Sequence, residues 1–110
     1  MNRQPTNAEQ REFWELCGLS YVESTGVDWS EHWVLPNGEK GGKLAPAIDL
    51  NNLFRWAGPK VYEDCGLAIF AVVLYRWFEG IIREINNHNL DEIVLGLFWA
   101  IYPVLKEAKK

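Results

Sequence analysis

An almost continuously apolar segment in the second half of the chain constrains the fold more than any other feature. Between Cys65 and Asn86 the residues are apolar on nearly every side, so this segment needs cover on more than one face. Its longest uninterrupted part, from Gly66 to Tyr75, is far shorter than the roughly 20 residues that span a bilayer. The segment therefore predicts a core element, and it excludes a membrane as partner.

Periodicity alone does not tell whether this segment is a buried helix or a pair of buried strands. Its many β-branched and aromatic residues favour strands, and Gly80 favours a bend. We predict strands over residues 67–76 and 81–86, joined by a turn over residues 77–80. One long buried helix is the alternative.

Three other segments have the apolar spacing and end signals of helices. Thr6 and Glu9 have the spacing of a capping box, which predicts a first helix over residues 8–17 that ends at Gly18. The N-terminal residues 1–7 are polar and are predicted to be flexible.

Two further helices follow from the same reasoning. Asp49 is a suitable N-cap for a helix over residues 49–57, and Gly58–Pro59 should stop or kink it. The last helix covers residues 90–108, with a broad apolar stripe that Pro103 should bend rather than end.

The segment between the first two helices reads as strands and turns. From Leu19 to Ala47 the helical period disappears, and Asn37–Gly38 after a β-rich run is a strong signal for a tight hairpin turn. Glycines and a proline in the return limb predict a short, peripheral hairpin. Together these elements predict one α+β domain over residues 8–110, in which a small antiparallel sheet packs with about three helices.

The charge pattern limits the classes of partner. The chain has 11 basic and 15 acidic residues, a formal charge of −4, and its basic residues form no stripe that could follow a phosphate backbone. We therefore do not expect duplex nucleic acid as a partner.

Cys17 and Cys65 belong to no metal-binding or redox spacing, and this predicts two free, buried thiols. Because the sequence also has no apolar signal segment, we expect a cytoplasmic protein.

No catalytic or metal-binding constellation emerges from the sequence. His32 and His88 lie in different segments, and no spacing of carboxylates argues that they converge. Asp28, Glu31 and His32 are better explained as a solvated strand edge, because a strand sends Glu31 to the opposite face. We therefore expect no enzyme activity, no cofactor and no metal.

Six tryptophans in 110 residues are the main functional signal. Trp14 and Trp99 lie beside helical stripes and are expected in the core. Trp29 and Trp33 share one face of a polar-flanked strand region where burial is hard to arrange, and we place them in a candidate recognition surface with burial as an equal alternative.

Two Arg–Trp pairs complete the candidate surface: Arg55–Trp56 on the second helix and Arg76–Trp77 at the proposed turn. A guanidinium beside an indole can bind a phosphate while a base stacks on the ring. The simpler alternative is that each arginine lies over its neighbour's ring.

Two stretches resemble a known family. They are Pro46–Phe54 with Pro59–Lys60, and the Leu97–Tyr102 sequence LFWAIY in the last helix. They look like small bacteriophage proteins of the phage α-β-α sandwich domain type, in which a helix with an ALFWAIY pattern follows a β-hairpin. The similarity covers about half the chain; Gly96 and Pro103 depart from the pattern. It implies a phage accessory protein in the bacterial host cell, without implying any chemistry.

These observations favour a non-enzymatic binding protein that counters a host defence. The net negative charge favours blocking a host defence protein, whereas the Arg–Trp pairs favour sequestering a nucleotide signal. A structural or assembly protein that acts as a homo-oligomer is the alternative.

Overall fold

The computed structural model describes residues 3–22, 32–42, 44–84 and 90–109, and in these ranges the chain forms four helices and a two-stranded antiparallel sheet. The α+β prediction is confirmed, with four helices where about three were expected. The elements are α1 (Asn7–Leu16), β1 (Ser20–Val22), β2 (His32–Val34), α2 (Leu50–Asn52, Leu53–Ala57 and Gly58–Cys65 in succession), α3 (Leu67–Glu84) and α4 (Leu90–Ala108).

The start of α1 confirms the predicted capping box. The backbone N–H of Glu9 donates to the Thr6 hydroxyl (3.1 Å), and the N–H of Thr6 donates to the Glu9 carboxylate (2.9 Å). Arg3, placed in the flexible N-terminus by the sequence, donates both guanidinium nitrogens to that carboxylate at 2.7 and 2.6 Å. The helix ends before Gly18, whose φ of 97° suits a residue without a side chain.

This cluster predicts an acid-sensitive contribution to stability. The Arg3 guanidinium, followed by the Thr6 N–H, lowers the pKa of Glu9 to about 2. Because the folded pKa lies below the unfolded value of about 4.3, this stabilisation is present above about pH 5 and is lost as the pH falls towards 2. Thermal melts across this range should show a weaker acid dependence for Glu9→Gln than for wild type.

The control for that experiment is Glu15→Gln on the same helix, which removes an exposed i,i+4 pair with Arg11. It should leave the acid profile as in wild type. Identical profiles for Glu9→Gln and wild type would contradict the assignment.

The sheet is small and holds the predicted hairpin turn. β1 and β2 pair with Tyr21 opposite Trp33, and their rings lie 5.4 Å apart. The turn at Pro36–Gly38 is closed by the Gly38 N–H, which donates to the Leu35 carbonyl (2.8 Å), and Gly38 has a φ of 89°. Over the described residues of the return limb, Lys40 forms one bridge with Val34, so the short, peripheral hairpin is confirmed.

Helix α2 begins as predicted and continues further than predicted. The Asp49 carboxylate accepts the N–H of Asn52 at 2.7 Å, which confirms the N-cap. Gly58–Pro59 does not end the helix, because a π-helical turn over Leu53–Ala57 precedes it and the Gly58 N–H donates to the Leu53 carbonyl. The wider turn gives room to the proline ring, which would otherwise crowd the carbonyl four residues earlier. The helix then runs to Cys65.

The predicted strands over residues 67–76 and 81–86 and the turn over 77–80 are wrong. Residues Leu67–Glu84 form the single helix α3, and residues 85–89 lie outside the described ranges. One side of α3 packs on α2 and α4 around Val73, which is buried. This tertiary packing outweighs the local β preference of its side chains. Gly80 lies inside the helix and produces no turn.

Helix α4 passes through the centre of the core. Phe98 of α4 meets Phe13 of α1 with ring centroids 4.4 Å apart, and Tyr102 packs edge-on against Phe13 at 6.0 Å.

The Cys17 thiol is buried in the same core, and burial raises its pKa to about 12. Cys65 is only half-buried, so the prediction of two buried thiols is right for Cys17 alone.

Among the described helices, none has the length and hydropathy to cross a membrane.

Candidate functional site

The first candidate surface, Trp29 with Trp33, is not formed as predicted. Trp33 is 3% exposed and belongs to the hydrophobic core, so the expectation that it is hard to bury is wrong. Pairing of β1 with β2 brings Tyr21 against it, and Gly41 approaches the other side closely enough to donate to the Trp33 carbonyl. Trp29, Asp28 and Glu31 lie outside the described residues.

The Arg55–Trp56 pair forms the simpler of the two predicted arrangements. The Arg55 guanidinium lies over the Trp56 ring, 4.7 Å from its centroid, as expected when an arginine covers its neighbour. Both residues line a cleft against the hairpin turn at Pro36–Asn37. The nearby Lys60 is paired with Asp64 at 3.4 Å. Arg55 and Lys60 in this cleft are thus already engaged within the protein.

The Arg76–Trp77 pair lies in a different place, between α3 and α4. Here the two helices leave a groove of about 360 Å³, which we call the α3–α4 groove. Its lining comprises Arg76, Trp77, Gly80, Ile81 and Arg83 from α3, and Glu92, Ile93, Gly96, Trp99 and Ala100 from α4. The volume lies in the range of small-molecule sites. It shares no lining residue with the Arg55–Trp56 cleft, so the two predicted Arg–Trp pairs do not converge.

Two indoles form walls of the α3–α4 groove. The Trp77 Nε1–H donates to the Ile93 carbonyl at 2.8 Å, and the Trp99 Nε1–H donates to the Arg3 carbonyl at 2.9 Å. The Trp99 ring also contacts the Arg3 guanidinium at 4.5 Å and stacks with Tyr102. Because their N–H groups are already bonded, the indoles supply apolar walls and no donors. Trp99 is half-buried and packs against the core, close to what the sequence predicted.

The positive charge of the groove comes from Arg76 and Arg83. Arg83 follows Arg76 by seven positions, which is two turns of α3 or about 10 Å along its axis. In the described part of the chain, neither guanidinium forms an ion pair or hydrogen bond. Glu92 of α4 is the one carboxylate in the lining. The groove therefore presents two available cations beside apolar walls.

Gly80 lies between the two arginines and keeps the groove open. A Cβ placed on Gly80 meets nothing within 4 Å, so the absence of a side chain there leaves empty space. Sequence reasoning singled out Arg76 and Trp77 but missed Arg83 and Gly80. Gly80 follows Arg76 by four residues and Arg83 follows it by seven. This spacing places all three on one side of a helix, and it has no such meaning if the segment is interpreted as strands.

The described residues contain no group of three histidine, cysteine or acidic side chains that could hold a metal ion. His32 is half-buried on β2, and His88 lies outside the described ranges. The chemistry that the α3–α4 groove supports is recognition of an anion joined to an apolar or aromatic group.

Comparison with known proteins does not assign the chain to a family. The chain matches no protein-family model, no curated protein and no solved structure, so the resemblance to small phage proteins stays a prediction.

Proposed function

We propose that this protein is a non-enzymatic phage accessory protein that sequesters a nucleotide signal of host defence in the α3–α4 groove. The observation that carries the proposal is the pair of guanidiniums, Arg76 and Arg83, which have no partner in the described part of the chain. The phage setting rests on the sequence resemblance alone.

The groove suits a phosphate-bearing ligand better than the Arg55–Trp56 cleft does. Arginine binds phosphate oxygens through charge-assisted, often bidentate hydrogen bonds, and these are about twice as strong as neutral ones. Arg76 and Arg83 are available for such contacts, whereas Arg55 already lies over Trp56. The edges of Trp77 and Trp99 offer an apolar wall to a base or a sugar.

Calorimetry with purified protein tests the proposal, with ATP, cyclic di-AMP and inorganic pyrophosphate as probes. We expect at least one nucleotide to bind, and an Arg76→Gln/Arg83→Gln variant to bind it at least tenfold more weakly, since a hydrogen bond to a charged group contributes about 1.5–3 kcal/mol. Glutamine keeps the helix preference of arginine. The matched control is Arg55→Gln, which should bind as wild type does.

A second variant tests whether the ligand binds in the α3–α4 groove without changing the charge of the groove. Gly80→Leu places a side chain in the open space of the groove and improves helix propensity, so the protein should stay folded while binding is lost. Full binding by Gly80→Leu, or equal loss in Arg55→Gln and the double variant, would place the ligand elsewhere. If none of the probes binds, nucleotide sequestration is contradicted for these classes of ligand.

A structural or assembly role is the second candidate function. The observation that favours it is an exposed apolar face on α3, opposite the side of that helix that packs on the core. The largest apolar patch of a monomeric protein is often functional.

A further inference from the structure

The outer side of α3 is apolar and uncovered. Its large side chains are 43–67% exposed, although the same helix buries Val73 on its inner side. The exposed large apolar residues of α3 are Leu67, Ile69, Val72, Tyr75, Phe78 and Ile82. A helix that is apolar on both sides is normally covered on both sides.

Five of the exposed positions fall on one line along the helix. They are spaced alternately by three and four residues, the heptad spacing of a seam between two packed helices. We call them the outer seam: Ala68, Ala71, Tyr75, Phe78 and Ile82. None of the five is buried within the described part of the chain.

The outer seam is complementary to itself in size. Its N-terminal end carries Ala68 and Ala71, and its C-terminal end carries Phe78 and Ile82. If a second α3 lies antiparallel, with Tyr75 of one copy near Phe78 of the other, Ile82 of each copy lies opposite Ala71 of the other, and the two rings pack together at the centre. A parallel pair would set large residues against large ones and leave a gap at the alanines.

The charges beside the seam favour the same orientation. Arg76 and Glu79 flank its centre three residues apart, so an antiparallel pair brings Arg76 of one copy towards Glu79 of the other. A parallel pair would place this flank of one copy against the opposite flank of the other, where Arg76 and Glu79 do not meet. Glu79 also hydrogen-bonds to the Tyr75 hydroxyl and raises the pKa of Tyr75, so this polar group keeps a partner when its ring is covered.

The exposed area of the outer seam suits a weak dimer. A large side chain carries roughly 150–250 Å² of surface, so the exposed fractions of Tyr75, Phe78 and Ile82 leave roughly 300–450 Å² per copy. Two copies would bury roughly 600–900 Å² of these side chains, which is the size of a weak interface that depends on protein concentration. A monomer's largest apolar patch is commonly no larger than about 600 Å² and is often functional.

We propose that the outer seam of α3 is the interface of an antiparallel homodimer. A two-fold axis then relates the copies, with the same patch used on both sides. The interface does not require a ligand in the α3–α4 groove.

Sedimentation velocity at several protein concentrations tests the dimer, because the chain mass is 12.7 kDa and the dimer has twice that mass. We expect a concentration-dependent dimer for wild type. Ala71→Glu should raise the dissociation constant at least roughly tenfold, because it buries a charge at the seam. Glutamate is a good helix former at this exposed position, so circular dichroism should show the monomer folded.

The control is Ala8→Glu, at an exposed alanine in the first turn of α1, which should dimerise as wild type does. A wild-type protein that stays monomeric at every concentration would overturn the proposal and leave the seam to a different partner. Dimerisation of Ala71→Glu with wild-type affinity would also overturn it.

Cysteine cross-linking tests the orientation. In a Cys65→Ser background, Ala71→Cys and Ile82→Cys proteins, whose positions face each other in this register, are oxidised separately and as a mixture. An antiparallel seam predicts a cross-linked dimer in the mixture and none in either protein alone. Cross-linking of each protein with itself would show a parallel pair and overturn the antiparallel interface.

Ligand binding and dimerisation can be separated in these experiments. Ala71→Glu leaves Arg83 and Gly80 in place and releases Arg76 from Glu79 of the other copy, so nucleotide binding by this variant shows whether the groove acts without the dimer. Conversely, Gly80→Leu should dimerise as wild type does. A dimer that binds none of the nucleotides would favour the assembly role.

Discussion

Replacing Trp33 by alanine is expected to lower the free energy of unfolding by about 3–5 kcal/mol, the cost of removing a large buried aromatic side chain. Trp33 is 3% exposed, packs against Tyr21 across the strand pair, and accepts the Gly41 N–H at its carbonyl at 2.6 Å. The cavity that alanine leaves cannot close without moving both strands. Urea unfolding followed by circular dichroism measures the change.

Trp56→Ala is the matched control, because Trp56 is only partly buried at the edge of the core and Arg55 lies over its ring. Its cost should be clearly smaller than that of Trp33→Ala. If Trp33→Ala unfolds at the same urea concentration as wild type, Trp33 is not part of the core, and a recognition role for it becomes open again.

The burial of Trp33 shows what local sequence pattern does not contain. Much of the segment on both sides of it is polar or glycine-rich, and this composition favoured an exposed position. The residues that cover it are brought by strand pairing over 12 positions and by the return of the chain at Gly41. Long-range partners of this kind are not encoded in the spacing of one segment.

Features that depend on neighbouring residues were predicted well. The caps at Thr6 and Asp49, the end of α1 at Gly18 and the turn at Gly38 each require one or two residue types at a fixed offset, and all four are present. The physical cause is local: a side chain satisfies a nearby backbone group, or glycine adopts a positive φ.

Helix α3 was predicted wrongly because its outer face carries as many apolar residues as its inner face. The helical period is visible in a sequence when one side is polar, but residues 67–75 of α3 are all apolar and its polar residues begin only at Arg76. The β-branched residues then favoured strands, although intrinsic strand preference is weak relative to packing. If the outer seam is a dimer interface, the apolar pattern that hid the helix is the pattern of a helix covered on both sides.

The same error limited prediction of the site. In a regular helix adjacent residues point about 100° apart, so Arg76 and Trp77 do not face each other, although both line the α3–α4 groove. Arg83 and Gly80 share the groove with Arg76 because they follow it by whole turns. Because the segment was interpreted as strands, this spacing was not recognised, and the sequence identified Arg76 but not Arg83.

Leu97→Ala is expected to cost about 2–5 kcal/mol of unfolding free energy, since it removes a leucine that is 1% exposed at the centre of α4. Alanine has the highest helix propensity, so the loss reports on packing and not on the helix itself. The matched control is Leu44→Ala, because Leu44 is 85% exposed and should change stability by no more than about 0.5 kcal/mol.

Urea unfolding of both leucine variants, at concentrations where the protein is monomeric, separates the packing of α4 from any effect of dimerisation. A large gap between Leu97→Ala and Leu44→Ala places the inner stripe of α4 against α1 and α2, as their aromatic contacts require. Equal midpoints for the two variants would mean that α4 does not carry the core. The α3–α4 groove would then have no rigid wall on that side, since Trp99 and Gly96 belong to the same helix.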